Sequence, residues 1–217
     1  MRRGVSIVCG VLLLLSLFSI ASLVSSSRFK VLVLTESYIS FGDKQYDVFR
    51  GILSGYADVE YLWVGNIPYL SSRFNLSDWL DYKGYKLIVF LGCRYDYFDR
   101  VYDFLSLHLQ RGGSVLFLPV DYVDLNKLFV RFGLELRRCW GYIDDAATDL
   151  IAVHEVTKGV YVVGVRGWNV SRFWLVRDPR LRGVVCSNGS WWGPEYDLVV
   201  VGELYGGRLA AVAPYLY

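Results

Sequence analysis

The chain has 217 residues, a net charge of +2, 54% hydrophobic and 17% aromatic residues, and no run of Lys or Arg. That length suits one α/β core of ordinary size, and the missing basic stripe argues against nucleic acid as a partner. Seven Trp and 17 Tyr predict a core packed with large rings.

Met1-Arg2-Arg3 precedes an uncharged apolar run over residues 5–24, close to the ~20 residues needed to cross a bilayer. The basic start favours a cytoplasmic N-terminus and places the rest of the chain on the far side. The expected organisation is a membrane segment over 1–27 and one α/β domain over 28–217. The expected location is a single-pass membrane protein with its domain outside the cytoplasm. Signal cleavage at Ser25-Ser26-Ser27, giving a secreted protein, is the alternative. Three sequons, at Asn75, Asn169 and Asn188, would accept glycans in a compartment with the machinery. Cys9 lies in the apolar run, so three cysteines remain and cannot all pair. The pairing expected is Cys139–Cys186, both in the second half.

Phe29–Thr35 is an apolar β-rich run, hence a strand buried on both faces, and it runs into the polar pair Glu36-Ser37. Tyr46, Phe49, Ile52, Leu53 and Tyr56 recur at helical spacing. Val59–Val64 reads as a second strand. A short helix is expected over 75–82 with Asn75 or Ser77 as its cap. Lys86–Gly92 is the third strand. The helix Phe98–Arg111 follows and ends at Gly112-Gly113, the residues most tolerant of a left-handed stop. Ser114–Pro119 is the fourth strand, so strands three and four form a βαβ unit and their sheet is parallel. A third helix is expected over 123–132, capped by Asp121 or Asp124 and closed by Gly133. From Leu134 onward short β-type runs dominate, at 161–165, 173–176, 183–186, 198–201 and 209–213. The expected fold is a doubly wound, mostly parallel α/β sheet of flavodoxin-like type with a β-rich C-terminal part. Ligands of such sheets bind beyond the carboxyl ends of the strands. The loops of interest are therefore 35–43, 65–70, 92–97 and 119–124.

The residues KVLVLTES, YKLIVFLG, LQRGGSVLFLP, NKLFVRFGLELR, HEVTKGV and GELYGGRLAAVAP resemble the class I glutamine-amidotransferase-like superfamily. Within it the chain is similar to the non-catalytic branch shared by intraflagellar-transport and gliding-motility proteins and the accessory subunit of oligosaccharyltransferase. Catalytic members of the superfamily carry a Cys in the turn after the strand equivalent to 114–119. Here the turn reads Leu118-Pro119-Val120-Asp121. The resemblance therefore implies the fold, argues against amide hydrolysis, and implies a protein partner in a membrane complex. It also implies that His154, Thr157 and Gly159 close a structural turn.

The residues that the carboxyl-end loops offer for binding are Glu36, Ser37, Arg94 and Asp121. Cys93, in Gly92-Cys93-Arg94, is the one candidate nucleophile, with His154 as its base. That makes a Cys-dependent hydrolase the enzymatic alternative, although a Cys at a strand end is more often a small buried hydrophobe. His108 lies on the apolar face of its helix and reads as a core histidine. Trp191 and Trp192, beside Gly193-Pro194, are the aromatic pair suited to stacking on a glycan, which gives a carbohydrate-binding alternative. Neither zinc spacing nor an EF-hand pattern occurs, and no Walker loop is present. No metal and no cofactor are expected.

Overall fold

The computed structural model describes residues 28–36, 51, 53–93, 95–119, 125–140, 146–148, 152, 163–165, 170–186 and 197–213. The apolar run 5–24 lies outside them. Among the described residues no helix is long and apolar enough to cross a membrane.

Strands β1 (Phe29–Thr35), β2 (Ala57–Trp63), β3 (Tyr85–Phe90) and β4 (Ser114–Phe117) run parallel in the order β2-β1-β3-β4. The sheet continues through strands that close the chain: β5 (Leu134–Trp140), β8 (Val170–Val176), β9 (Leu181–Cys186), β10 (Asp197–Leu204) and β11 (Gly207–Val212). Strand β11 pairs parallel with β4, and β10, β8 and β5 follow it antiparallel, with β9 also on β10. Strands β6 (Ala146–Thr148) and β7 (Val163–Val165) form a separate antiparallel ribbon. The result is a mixed α/β sheet with a parallel half and an antiparallel half. Among the described residues the sheet is joined by α1 (Ile67–Arg73), α2 (Leu76–Lys83), α3 (Phe98–Gln110) and α4 (Asn126–Phe129), the last continuing as a 3-10 turn over Val130–Phe132, besides the helical residues 53–56 before β2.

The central strands β1, β3 and β4 are apolar through their buried middles because both of their faces are covered, whereas the outer strand β2 carries Asp58 and Glu60 and is half-exposed. On the first face Leu32, Leu34, Ile88, Phe90 and Phe117 meet Ile67, Leu80, Val101, Phe104, Leu105 and Phe129 of the four helices. On the second face Val31, Val33, Leu87 and Val89 meet Leu53, from the helical residues before β2, and Val184, Val185 and Leu198 from β9 and β10. The first-face core is strongly aromatic. Phe117 lies 5.7 Å from Phe90, 5.1 Å from Phe129 and 5.3 Å from Phe132, all edge-on, and Phe129 meets Trp174 at 5.0 Å. Tilted and edge-on pairs suit the ring quadrupoles, so much of the aromatic excess is core, as composition led us to expect.

Asn75 caps α2, its side-chain oxygen accepting from the Ser77 N–H at 3.0 Å. Helix α3 gives way to Gly112 in the left-handed region, φ 74°. Several boundaries differ from expectation. Helix α1 occupies part of the expected loop 65–70: Pro68 stands in its first turn, where a missing N–H costs nothing. Helix α4 starts at Asn126, and its N-cap Leu125 offers no side-chain bond; Asp121 and Asp124 lie outside the described residues. The Asn126 side chain instead clamps the backbone of Leu136, accepting from its N–H at 2.7 Å and donating to its carbonyl at 2.8 Å. Strand β5 was not anticipated as a separate element. The expected Cys139–Cys186 disulfide is a correction: Cys186 carries a thiol whose Sγ lies 3.4 Å from Asp197 Oδ1.

Candidate functional site

A parallel sheet opens a crevice where neighbouring strands send their following segments to opposite faces. Here that point lies between β1 and β3, which pair directly. The helical residues that end the β1–β2 connection put Leu53 on the second face, whereas α3, following β3, is buried on the first. Glu36, the first residue after β1, and Cys93, three residues past β3, therefore flank the gap. The floor is fixed by backbone ladders that continue past the strand ends. The Leu91 N–H donates to Leu34 O and the Leu118 N–H to Phe90 O, both at 3.0 Å. Thr35 is fully buried there and donates to the Glu36 carbonyl at 3.3 Å.

On the β2 side, Gly65 lies beneath the Tyr97 hydroxyl, which would be 3.5 Å from a Cβ at that position. Tyr97 follows β3 in sequence, so its ring reaches across the end of β1 while packing on the first-face core. The residues described around the crevice are thus Glu36, Gly65, Cys93 and Tyr97. Tyr97 and Gly65 were not singled out from sequence. Both lie in loops marked as interesting, but no periodicity in a loop says which side chain turns inward.

Cys93 is 1% exposed and belongs to the first-face core. Burial pushes its thiol well above the ordinary range, and the negative charge of Glu36 adds to the shift. The thiolate is the nucleophilic form, so the folded site suppresses the reactive species. Glu36 brings negative charge to the mouth of the crevice. The other proposed binding residues, Ser37, Arg94, Asp121, Trp191 and Trp192, lie outside the described residues, as do His154, Thr157, Gly159, Asn169 and Asn188. Of the sequons, Asn75 is described and is exposed at the start of α2. Among the described residues no group of three or more His, Cys, Asp or Glu side chains is placed to hold a metal ion.

His108 is 3% exposed, in the last turn of α3. Its imidazole packs against Gly113, where an added Cβ would overlap Nε2 and its ring neighbours. The backbone of Ser114 and Lys86 lies close enough to favour the charged form, but Nε2 itself has no partner. Burial outweighs both contacts and lowers the pKa to about 4.

At the opposite end of the strands, a cavity of about 610 Å3 is lined by Pro179, Arg180, Arg182, Glu203, Tyr205 and Gly206, among others. Arg180 is held by both Asp178 oxygens, at 3.0 and 2.7 Å. The Tyr205 hydroxyl meets that of Tyr102 at 2.9 Å.

No family model matches the chain, and no curated protein matches it. Among solved structures it is similar to a polyextremophilic beta-galactosidase from the Antarctic haloarchaeon Halorubrum lacusprofundi, at 12% identity and a TM-score of 0.44. The match covers 86% of this chain and 28% of the galactosidase chain.

Proposed function

We propose that this chain is a membrane-anchored, extracytoplasmic module of amidotransferase-like fold that binds or assembles other proteins and performs no catalysis. Four features support this reading. The run 5–24 has the length and flanking charge of an anchor. The parallel order β2-β1-β3-β4 gives a crevice at β1/β3, where a binding module of this α/β class would take its ligand. The turn after β4 reads Leu118-Pro119-Val120-Asp121, without the Cys that catalytic members of the resembled superfamily carry there. The observation that carries most weight is the fourth: Cys93, the one thiol at the crevice, is buried and held protonated. A Cys-dependent hydrolase would need the opposite environment, a partly exposed thiol with a lowered pKa.

The reading is tested by purifying tagged full-length chain and its Cys93→Ser variant in mild detergent from native membranes. Both are expected to retain the same membrane partner. Amide or ester hydrolysis by the wild-type chain that disappears in Cys93→Ser would overturn the proposal.

A further inference from the structure

The end of the domain opposite the crevice combines exposed tyrosines with basic side chains. Strands β1, β2 and β3 begin almost level, with Phe29 opposite Ala57 and Lys30 opposite Tyr85. Strands β4 and β11 begin one step higher, with Ser114 opposite both Leu87 and Arg208. The residues that lead into these strands therefore make one base. It displays Tyr82, 85% exposed and the most exposed of the large hydrophobic side chains, together with Tyr56 at 55%. Around them stand Arg28, Lys30, Lys86, Arg111 and Arg208, against the acids Asp58, Asp81 and Glu203. Arg28 donates to the Ser54 carbonyl and Arg111 pairs with Asp81. Arg180, held by Asp178, and Arg182 line the cavity at the same end. Tyrosines and basic side chains at one level are what a protein places at a membrane–water boundary.

The covalent chain supplies the second observation. Only residues 25–28 separate the apolar run from β1, and four extended residues span at most ~14 Å. With the run in a bilayer, the strand starts cannot leave its surface. We propose that this base rests on anionic lipid headgroups, with Tyr56 and Tyr82 at the interface and Lys30, Lys86 and Arg28 toward the phosphates. The strands then stand upright and hold the Glu36–Cys93 crevice roughly 23 Å above the base, the rise of a seven-residue strand, open to the compartment beyond. This orientation rests on the anchored reading above.

The test uses the unmodified full-length chain in nanodiscs of phosphatidylcholine and phosphatidylglycerol at 3:1, acetylated with N-acetylimidazole, with each tyrosine normalised to its rate in urea. Tyr69, in the first turn of α1 near the carboxyl end and 52% exposed, is the internal reference. Exposure alone makes Tyr82 react faster than Tyr69. Docking on lipid reverses the order, with Tyr82 slower by about fivefold or more, and the double variant Lys30→Glu, Lys86→Glu restores the original order. An anchored chain, shown by flotation with vesicles of the same lipids after an alkaline carbonate wash, in which Tyr82 still outpaces Tyr69 would overturn the docked base and leave the anchor standing. A chain that does not float would overturn both.

Discussion

A buried imidazole on a glycine couples the stability of this fold to pH. The folded pKa of His108 is lowered to about 4 from 6.5, so between these values the unfolded chain binds the proton and the folded chain does not. Stability contributed by this site is therefore complete above pH 6.5 and is lost as pH falls toward 4, by about 3 kcal/mol at 1.4 kcal/mol per unit. Urea midpoints measured across pH 7 to 4 should fall steeply in the wild-type chain and much less in His108→Leu. Gly113→Ala forces a methyl into the ring and should cost about 1–3 kcal/mol. The same substitution in a His108→Ala background should cost far less, because the partner of the clash is gone. Cys93 makes the complementary case. Alkylation in the folded chain requires local opening, so iodoacetamide at pH 8 should modify Cys93 on the order of a hundredfold more slowly than in urea, equivalent to an opening cost of about 3 kcal/mol. Labelling of Cys93 at the rate of an exposed thiol would revive the hydrolase reading.

At the scale of elements, the Asn75 cap separates two roles carried by one residue. Asn75→Ala removes both the N–H acceptor of α2 and the sequon, and should cost about 1 kcal/mol in urea unfolding. Asn75→Asp keeps the acceptor, loses the sequon and should be close to neutral, while any shift in gel mobility common to both variants reports a glycan. The sequence narrows this cap to Asn75 or Ser77, and the Asn75 side chain is the one that accepts, from the Ser77 N–H. Readable in the sequence were β1, β3, α3 and β4, whose apolar runs are continuous where both faces are covered and three- or four-spaced where one is. Helix α1 was not, since Pro68 marks a loop and a first helical turn equally well. Strand β5, LELRRCW, hid because its charged residues suit an edge of the sheet, where Glu135 is shared between Arg137 and Arg177. The Asn126 clamp on Leu136 was also invisible, for it depends on two elements meeting in space. At the candidate site, the loops after β1 and β3 follow from the strand pattern alone. The inward turn of Tyr97 over Gly65 and the burial of Cys93 could only come from the packed structure.

For the whole molecule, topology and chain length together give a direction. The parallel strands put their amino ends, with Tyr56, Tyr82 and a set of basic residues, at one end of the sheet, where Arg28 enters β1, and their carboxyl ends, with Glu36 and Tyr97, at the other. A rigid aromatic core links the two ends. Phe117, which touches three other rings, should lose about 3–5 kcal/mol on replacement by Ala, read as a loss of cooperative unfolding near physiological temperature. The central claim is that the crevice at the free end binds a protein partner and does no chemistry. The most direct test purifies full-length chain and its Gly65→Trp variant, whose indole would fill the rim beneath Tyr97, from native membranes in mild detergent, with quantitative mass spectrometry of what accompanies each. The account predicts one membrane protein in near-stoichiometric amount with the wild-type chain, reduced at least tenfold with Gly65→Trp at equal yield of folded protein. Equal recovery with both chains, or a wild-type chain that purifies alone, would contradict it.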